Sequence, residues 1–131
     1  MNVVLDTNVV VSGLLTPMGH CGQILDLVMD GSVRLCIDGR ILGEYREVPR
    51  RPRLGIKSEN VERILAVLRM GPTPKPLPVL LPDPDDLPFL EVAAADGAVL
   101  VTGNLKHFPP KSRSGVTVMP PAEFLKLLRR A

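Results

Sequence analysis

At 131 residues, 45% of them hydrophobic, the chain is the size of one domain and long enough to bury roughly 70% of its unfolded surface. A net charge of +2 excludes identification as a nucleic-acid binder from bulk charge alone. With three Phe, one Tyr and no Trp, the core must be built from Leu, Val, Ile and Ala, which suits helices packed on a buried parallel sheet.

Val3-Val4-Leu5, closed by polar Asp6-Thr7-Asn8, predicts a fully buried first strand. Helical patterns follow from Val9 to Leu15 and from Gln23 to Met29, interrupted at Thr16-Pro17-Met18-Gly19 and stopped at Gly31. Arg34-Leu35-Cys36-Ile37 predicts the second strand, ending at Asp38, and the helix from Gly39 to Val48 is cut off by Pro49. Ser58 is the expected N-cap of a helix carrying Ile64, Leu65, Val67 and Leu68 at helical spacing until Gly71-Pro72. The stiff stretch from Pro72 to Pro78 leads into Val79-Leu80-Leu81, the expected third strand. Asp83-Pro84-Asp85-Asp86 reads as a turn and cap, with Pro88 tolerated in the first turn of a helix that runs to about Asp96. Val99-Leu100-Val101-Thr102 and Val116-Thr117-Val118-Met119 are the fourth and fifth strands, and Pro121 to Arg130 closes the chain as an amphipathic helix.

This alternation predicts an α/β fold, a three-layer α/β/α sandwich around a central, mostly parallel sheet of five strands. Right-handed crossovers bring the C-terminal ends of parallel strands to one edge, where such folds bind their ligands. Polar residues gather there: Asp6 after the first strand, Asp38 after the second, Asp83 to Asp86 after the third and Asn104 after the fourth. Glu44, about two turns into a helix, can point back to the same edge. Carboxylates converging from distant positions repel unless a cation lies between them. Mg²⁺ or Mn²⁺ suits such oxygen ligands and can activate water at a phosphodiester. Each acid also has an ordinary reading, since Asp6, Asp83, Asp85 and Asp86 all sit at helix starts and Asp38-Gly39 is turn-like. The combination is what points to a metal site.

Four segments then resemble a known family. Val3-Val4-Leu5-Asp6-Thr7-Asn8-Val9 is similar to the opening of PIN domains, the nuclease fold of VapC-type toxins, and most similar to a toxin–antitoxin branch of it. Glu44-Tyr45 fits the second motif, Asp83-Pro84-Asp85-Asp86 with Phe89-Leu90-Glu91-Val92-Ala93 the third, and Leu100-Val101-Thr102-Gly103-Asn104 the fourth. The resemblance covers essentially the whole chain as one domain, 1–131, with the motifs in register. It implies metal-dependent endoribonuclease activity, with Asp6, Glu44 and Asp86 as the catalytic, metal-binding acids and Asn8 and Thr102 as supporting polar residues. Many members of the wider fold have Asp where this chain has Asn104. A carbonyl oxygen remains available there but no negative charge, which implies weaker binding of one ion, with Asp83 or Asp85 in partial compensation.

Arg46, Arg50, Arg51, Arg53 and Lys57 cluster between two helices, and Lys106 and His107 follow Asn104, so an RNA backbone is the expected ligand of these cations. His20 and His107 read as surface or hydrogen-bonding residues rather than ligands. Few aromatics means recognition without base-stacking platforms. Cys21 and Cys36 read as reduced, buried thiols. No apolar run approaches the ~18–20 residues that span a bilayer and no basic leader is present, so a cytoplasmic protein without membrane contact is expected. As a toxin it would have an antitoxin partner. The apolar faces at Leu14-Leu15 and around Phe124-Leu125-Leu128 suggest a homodimer. Asn8 stands where a haloacid-dehalogenase-like site needs a carboxylate, Met119-Pro120-Pro121 where a receiver domain needs lysine, and no glycine fingerprint supports a dinucleotide fold. The alternative that remains is a non-catalytic RNA- or partner-binding module with a weakened metal site.

Overall fold

Val3, Val4 and Leu5 have no exposed surface in the computed structural model, which describes residues 1–130. They form β1 (Asn2–Leu5), the middle of a five-stranded, all-parallel sheet in the order β3-β2-β1-β4-β5. Its neighbours are β2 (Arg34–Ile37), with Val3 opposite Leu35, and β4 (Val99–Val101), with Leu5 opposite Val101. The edges are β3 (Arg69–Met70) and β5 (Val118–Met119). A central strand with helices on both faces has no solvent side, so it is apolar at every position rather than alternating.

The helices are α1 (Thr7–Leu15), α2 (His20–Met29), α3 (Gly39–Glu47), α4 (Ser58–Ala66), α5 (Leu87–Asp96) and α6 (Pro121–Arg130). Helix α1 starts directly after Asp6, its N-cap, and so begins two residues earlier than the apolar pattern indicates. Helix α2 begins at His20, three residues before Gln23. The two helices meet closely because both contribute glycine: a Cβ at Gly13 would lie 2.5 Å from Leu25, and one at Gly22 only 2.1 Å from the Pro17 carbonyl oxygen. Phe124 and Leu125 of α6 are buried in this same core, so much of the face expected to support a homodimer is already covered. Leu15 is 48% exposed and Leu128 half-buried. Among the described residues, no helix is long and apolar enough to cross a membrane.

Three sequence expectations need correction. The third strand is Arg69–Met70, not Val79-Leu80-Leu81. Both strand residues are exposed, so they carry no apolar signal. The 79–81 run lies within a proline-rich strap whose prolines lack the N–H groups a ladder needs, and its apolar character reflects Leu81 reaching the core while Leu80 stays 93% exposed. Ser58 is the first residue of α4 rather than its cap; Lys57 holds that position and provides no side-chain cap. Cys36 is buried as expected, but Cys21 is only half-buried.

Candidate metal centre

Asp6 continues the line of β1 by donating its backbone N–H to the Val101 carbonyl at 3.0 Å, then turns the chain into α1. The residue is 5% exposed. One carboxylate oxygen accepts from the Asn8 N–H at 3.4 Å, as a capping Asp does. The other accepts from the fully buried Thr102 hydroxyl at 2.8 Å. Asp6 therefore caps α1 with one oxygen and ties the end of β1 to Thr102 with the other. Asn8 contributes its backbone, and the residue is otherwise exposed.

Glu44 arrives from α3. Its Oε1 accepts from the Thr7 hydroxyl at 2.6 Å, which links the carboxylate to the residue beside Asp6. The next residue, Tyr45, is buried and donates its hydroxyl to the Leu5 carbonyl. Burial, with the charges of Asp6 and Glu44 nearby, pushes the Tyr45 hydroxyl well above the usual phenol range. Tyr45 and Glu44 thus lock α3 against the end of β1, one from the core and one from the rim.

Asp86 closes a short 3-10 turn, Pro84–Asp86, initiated by Asp83, whose Oδ1 accepts from the Asp85 N–H at 2.9 Å. Asp85 is exposed, whereas Asp86 is 8% exposed. Desolvation first, and then the charge of Asp6, push the Asp86 carboxyl up to about 6, with His107 opposing and Asp83 adding to the rise. His107 Nδ1 stands 2.8 Å from Asp86 Oδ2, an ion-pair distance, yet this buried oxygen has no aligned hydrogen-bond partner. Asn104 donates its backbone N–H to Thr102 Oγ1 at 3.1 Å, and its carbonyl accepts from the His107 N–H at 3.1 Å; the residue itself is exposed.

Asp38 takes a different part. It caps α3 by accepting from the Ile41 N–H at 3.0 Å and pairs with Arg40 at 2.7 Å. Arg40 also pairs at 2.7 Å with buried Glu91, whose second oxygen accepts from the Leu77 N–H at 2.8 Å. This network ties α3, α5 and the proline strap together. Sequence reasoning did not assign it, although an acid inside the apolar run Phe89-Leu90-Glu91-Val92-Ala93 is the kind of signal that marks a buried, partnered carboxylate. Thr7 and His107 were likewise not assigned to the site.

The donor set fits a hard divalent cation. Desolvation and the charge of Asp6 raise the cost of ionising Asp86, whose Oδ2 has no aligned hydrogen-bond donor. Among the described residues no three His, Cys, Asp or Glu side chains stand close enough together to hold a metal ion by themselves. Mg²⁺ commonly leaves several positions to water and phosphate, so an open set is in keeping with it. Beside Glu44, a cavity of about 240 Å³ runs between α3 and the start of α5, lined by Arg40, Ile41, Pro84, Asp85 and Phe89. Of the expected RNA-binding cations, Arg50 pairs with Glu62 and Arg51 with Glu47, the latter at 3.0 Å. Arg46, Arg53 and Lys106 are exposed and form no ion pair among the described residues.

The sequence pattern of the PIN domain matches residues 2–106. The chain belongs to the PIN domain family. An uncharacterized protein of Methanocaldococcus jannaschii is 32% identical over 110 residues, covering 79% of this PIN domain and 71% of that protein. In fold, the domain is similar to VapBC2 from Rickettsia felis, solved bound to a DNA fragment from its promoter. That likeness has a TM-score of 0.57 at 18% identity and covers 92% of this chain and 98% of that one. The matched span of the PIN family includes Asp6, Glu44, Asp86, Thr102 and Asn104, and ends before His107 and the last strand.

Proposed function

We propose that this PIN domain is a divalent-metal-dependent endoribonuclease and the toxin of a VapBC-type pair. The observation that carries the reading is the nearness of two buried carboxylates, Asp6 and Asp86, where desolvation and the charge of Asp6 push the Asp86 carboxyl up to about 6. Asp6, Glu44 and Asp86 would hold Mg²⁺ or Mn²⁺, with the carbonyl of the Asn104 side chain as a neutral fourth donor. The ion, when bound, supplies Lewis-acid stabilisation of charge at phosphorus and a more acidic water. Thr102 and the Asn8 N–H hold the Asp6 carboxylate in one orientation, and Thr7 holds Glu44. Asp83 shapes the turn that presents Asp86, and exposed Asp85 adds negative charge at the rim. Arg46, Arg53 and Lys106 are the cations best free to bind an RNA backbone, with Arg50 and Arg51 exchanging their surface acids for phosphate.

Incubating the protein with mixed RNA and Mn²⁺ or Mg²⁺, then with EDTA, tests this reading. Cleavage should require the metal and vanish in Asp6→Asn; cleavage that survives the substitution overturns the assignment. Cellular RNA as the target places such an enzyme in the cytoplasm. By analogy with VapBC2, an antitoxin encoded beside this gene should cover the acidic edge, with an Arg as the natural contact. The neutral, exposed Asn104 favours a second reading, a non-catalytic module. Metal-independent RNA binding with no cleavage under any metal would select it.

A further inference from the structure

Counting carboxylates around Asp6 makes the fourth segment look deficient, because Asn104 brings no charge. The hydrogen bonds describe another contribution from that segment. Thr102 donates to Asp6 at 2.8 Å, Asn104 donates its N–H to the same Thr102 oxygen at 3.1 Å, and the Asn104 carbonyl receives the His107 N–H at 3.1 Å. His107 then stands with Nδ1 2.8 Å from Asp86 Oδ2. The circuit starts at one buried carboxylate and ends at the other. We propose that His107 is a further residue through which this segment serves the metal centre, as a positioning group: it holds one oxygen of Asp86 and leaves the other for the ion.

The physical case rests on what Asp86 lacks. The residue is 8% exposed, and Oδ2 accepts no aligned hydrogen bond, so water cannot readily steady it. Its own turn is occupied elsewhere, since Asp83 caps the Asp85 N–H. Among the described residues, His107 is the one nitrogen-bearing basic side chain within ion-pair distance of Asp86. Only alignment separates that contact from a donated hydrogen bond. A ligand carboxylate left to swing loses its pre-set orientation, and outer partners of this kind typically change metal affinity by about 10–100-fold. His107 is partly exposed and sits on a short turn, Leu105–His107, anchored by its own backbone bond to Asn104. Its role is therefore one of positioning.

This inference rests on the metal-site reading above, and Mn²⁺ binding without RNA separates the two. Titrate metal-free protein with Mn²⁺ by calorimetry, and record the paramagnetic resonance of the bound ion. The expected result is wild-type binding, a loss of roughly tenfold or more in His107→Ala, and recovery in His107→Asn, whose amide N–H approximates Nδ1. Circular dichroism confirms that each variant is folded. If the wild type binds no Mn²⁺, the metal-site reading fails and this inference with it. If the wild type binds but His107→Ala binds equally well or more tightly, the positioning role alone is overturned. Failure of His107→Asn to recover binding also overturns it.

Discussion

Thr102 donates its hydroxyl to Asp6 Oδ2 at 2.8 Å across 96 positions of sequence. Both residues are buried, and the bond joins the ends of two adjacent strands, β1 and β4. A carboxylate so placed has few other donors, so removing the hydroxyl leaves a buried charge short of one bond. Thr102→Val should cost about 1–3 kcal/mol in urea unfolding and weaken Mn²⁺ binding, while Thr102→Ser should restore most of both. Equal stability of the valine variant would show that the bond contributes little.

Asp86 gives a pH signature. Its carboxyl is held up at about 6 in the folded chain, against roughly 3.9 in an unfolded one. The folded state therefore keeps a proton that the unfolded state releases. That contribution to stability is full below about pH 4 and is lost as pH rises through about 6. Metal-free Asp86→Asn should accordingly be more stable than wild type at about pH 7.5, by about 1–2 kcal/mol after allowance for solvent screening, with little difference near pH 4. Melting curves at the two pH values, with EDTA present, would expose an incorrect sign directly. Adding Mn²⁺ should reverse the order by stabilising only the wild type.

The link from Arg40 through Glu91 to Leu77 predicts a local effect. Glu91 is 5% exposed and accepts both the guanidinium at 2.7 Å and the strap amide at 2.8 Å. Glu91→Ala leaves Arg40 with Asp38 alone and the Leu77 N–H without its acceptor. Because Arg40 is about half exposed, a loss of about 1–3 kcal/mol is expected rather than the larger cost of a fully buried pair. Hydrogen exchange should show protection lost first at Leu77; unchanged protection there would mean the strap is held by something else.

Gly22 is under a stricter constraint. A methyl group there would come within 2.1 Å of the Pro17 carbonyl oxygen, which is backbone and cannot swing aside. Gly22→Ala should destabilise the domain by about 1–3 kcal/mol by forcing the α1–α2 turn apart, although alanine is the better helix former. Gly43 on α3 is the control, because a methyl group there would meet nothing within 4 Å. Its alanine variant should be neutral or slightly stabilising in the same melting experiment.

Legibility followed the physics of each region. Strands buried on both faces, such as β1, announce themselves as apolar runs bounded by polar residues. Helix α6 is legible from its period alone. The exposed two-residue edge strand β3 left no such trace, while the strap imitated a strand because Leu81 reaches the core. At the sheet edge, Asp6, Glu44, Asp86 and Thr102 were readable as polar residues beside apolar runs. His107 was not, because nothing in a local pattern shows which of several polar groups a turn will aim at a carboxylate.

What the sequence by itself determined was the order of elements, because periodicity and strand–helix alternation are local properties. The tertiary structure alone decided which acids are buried near each other, which one merely caps a helix, and where the exposed edge strand lies. Those outcomes depend on desolvation and on partners supplied from distant parts of the chain, as when Thr102 reaches Asp6.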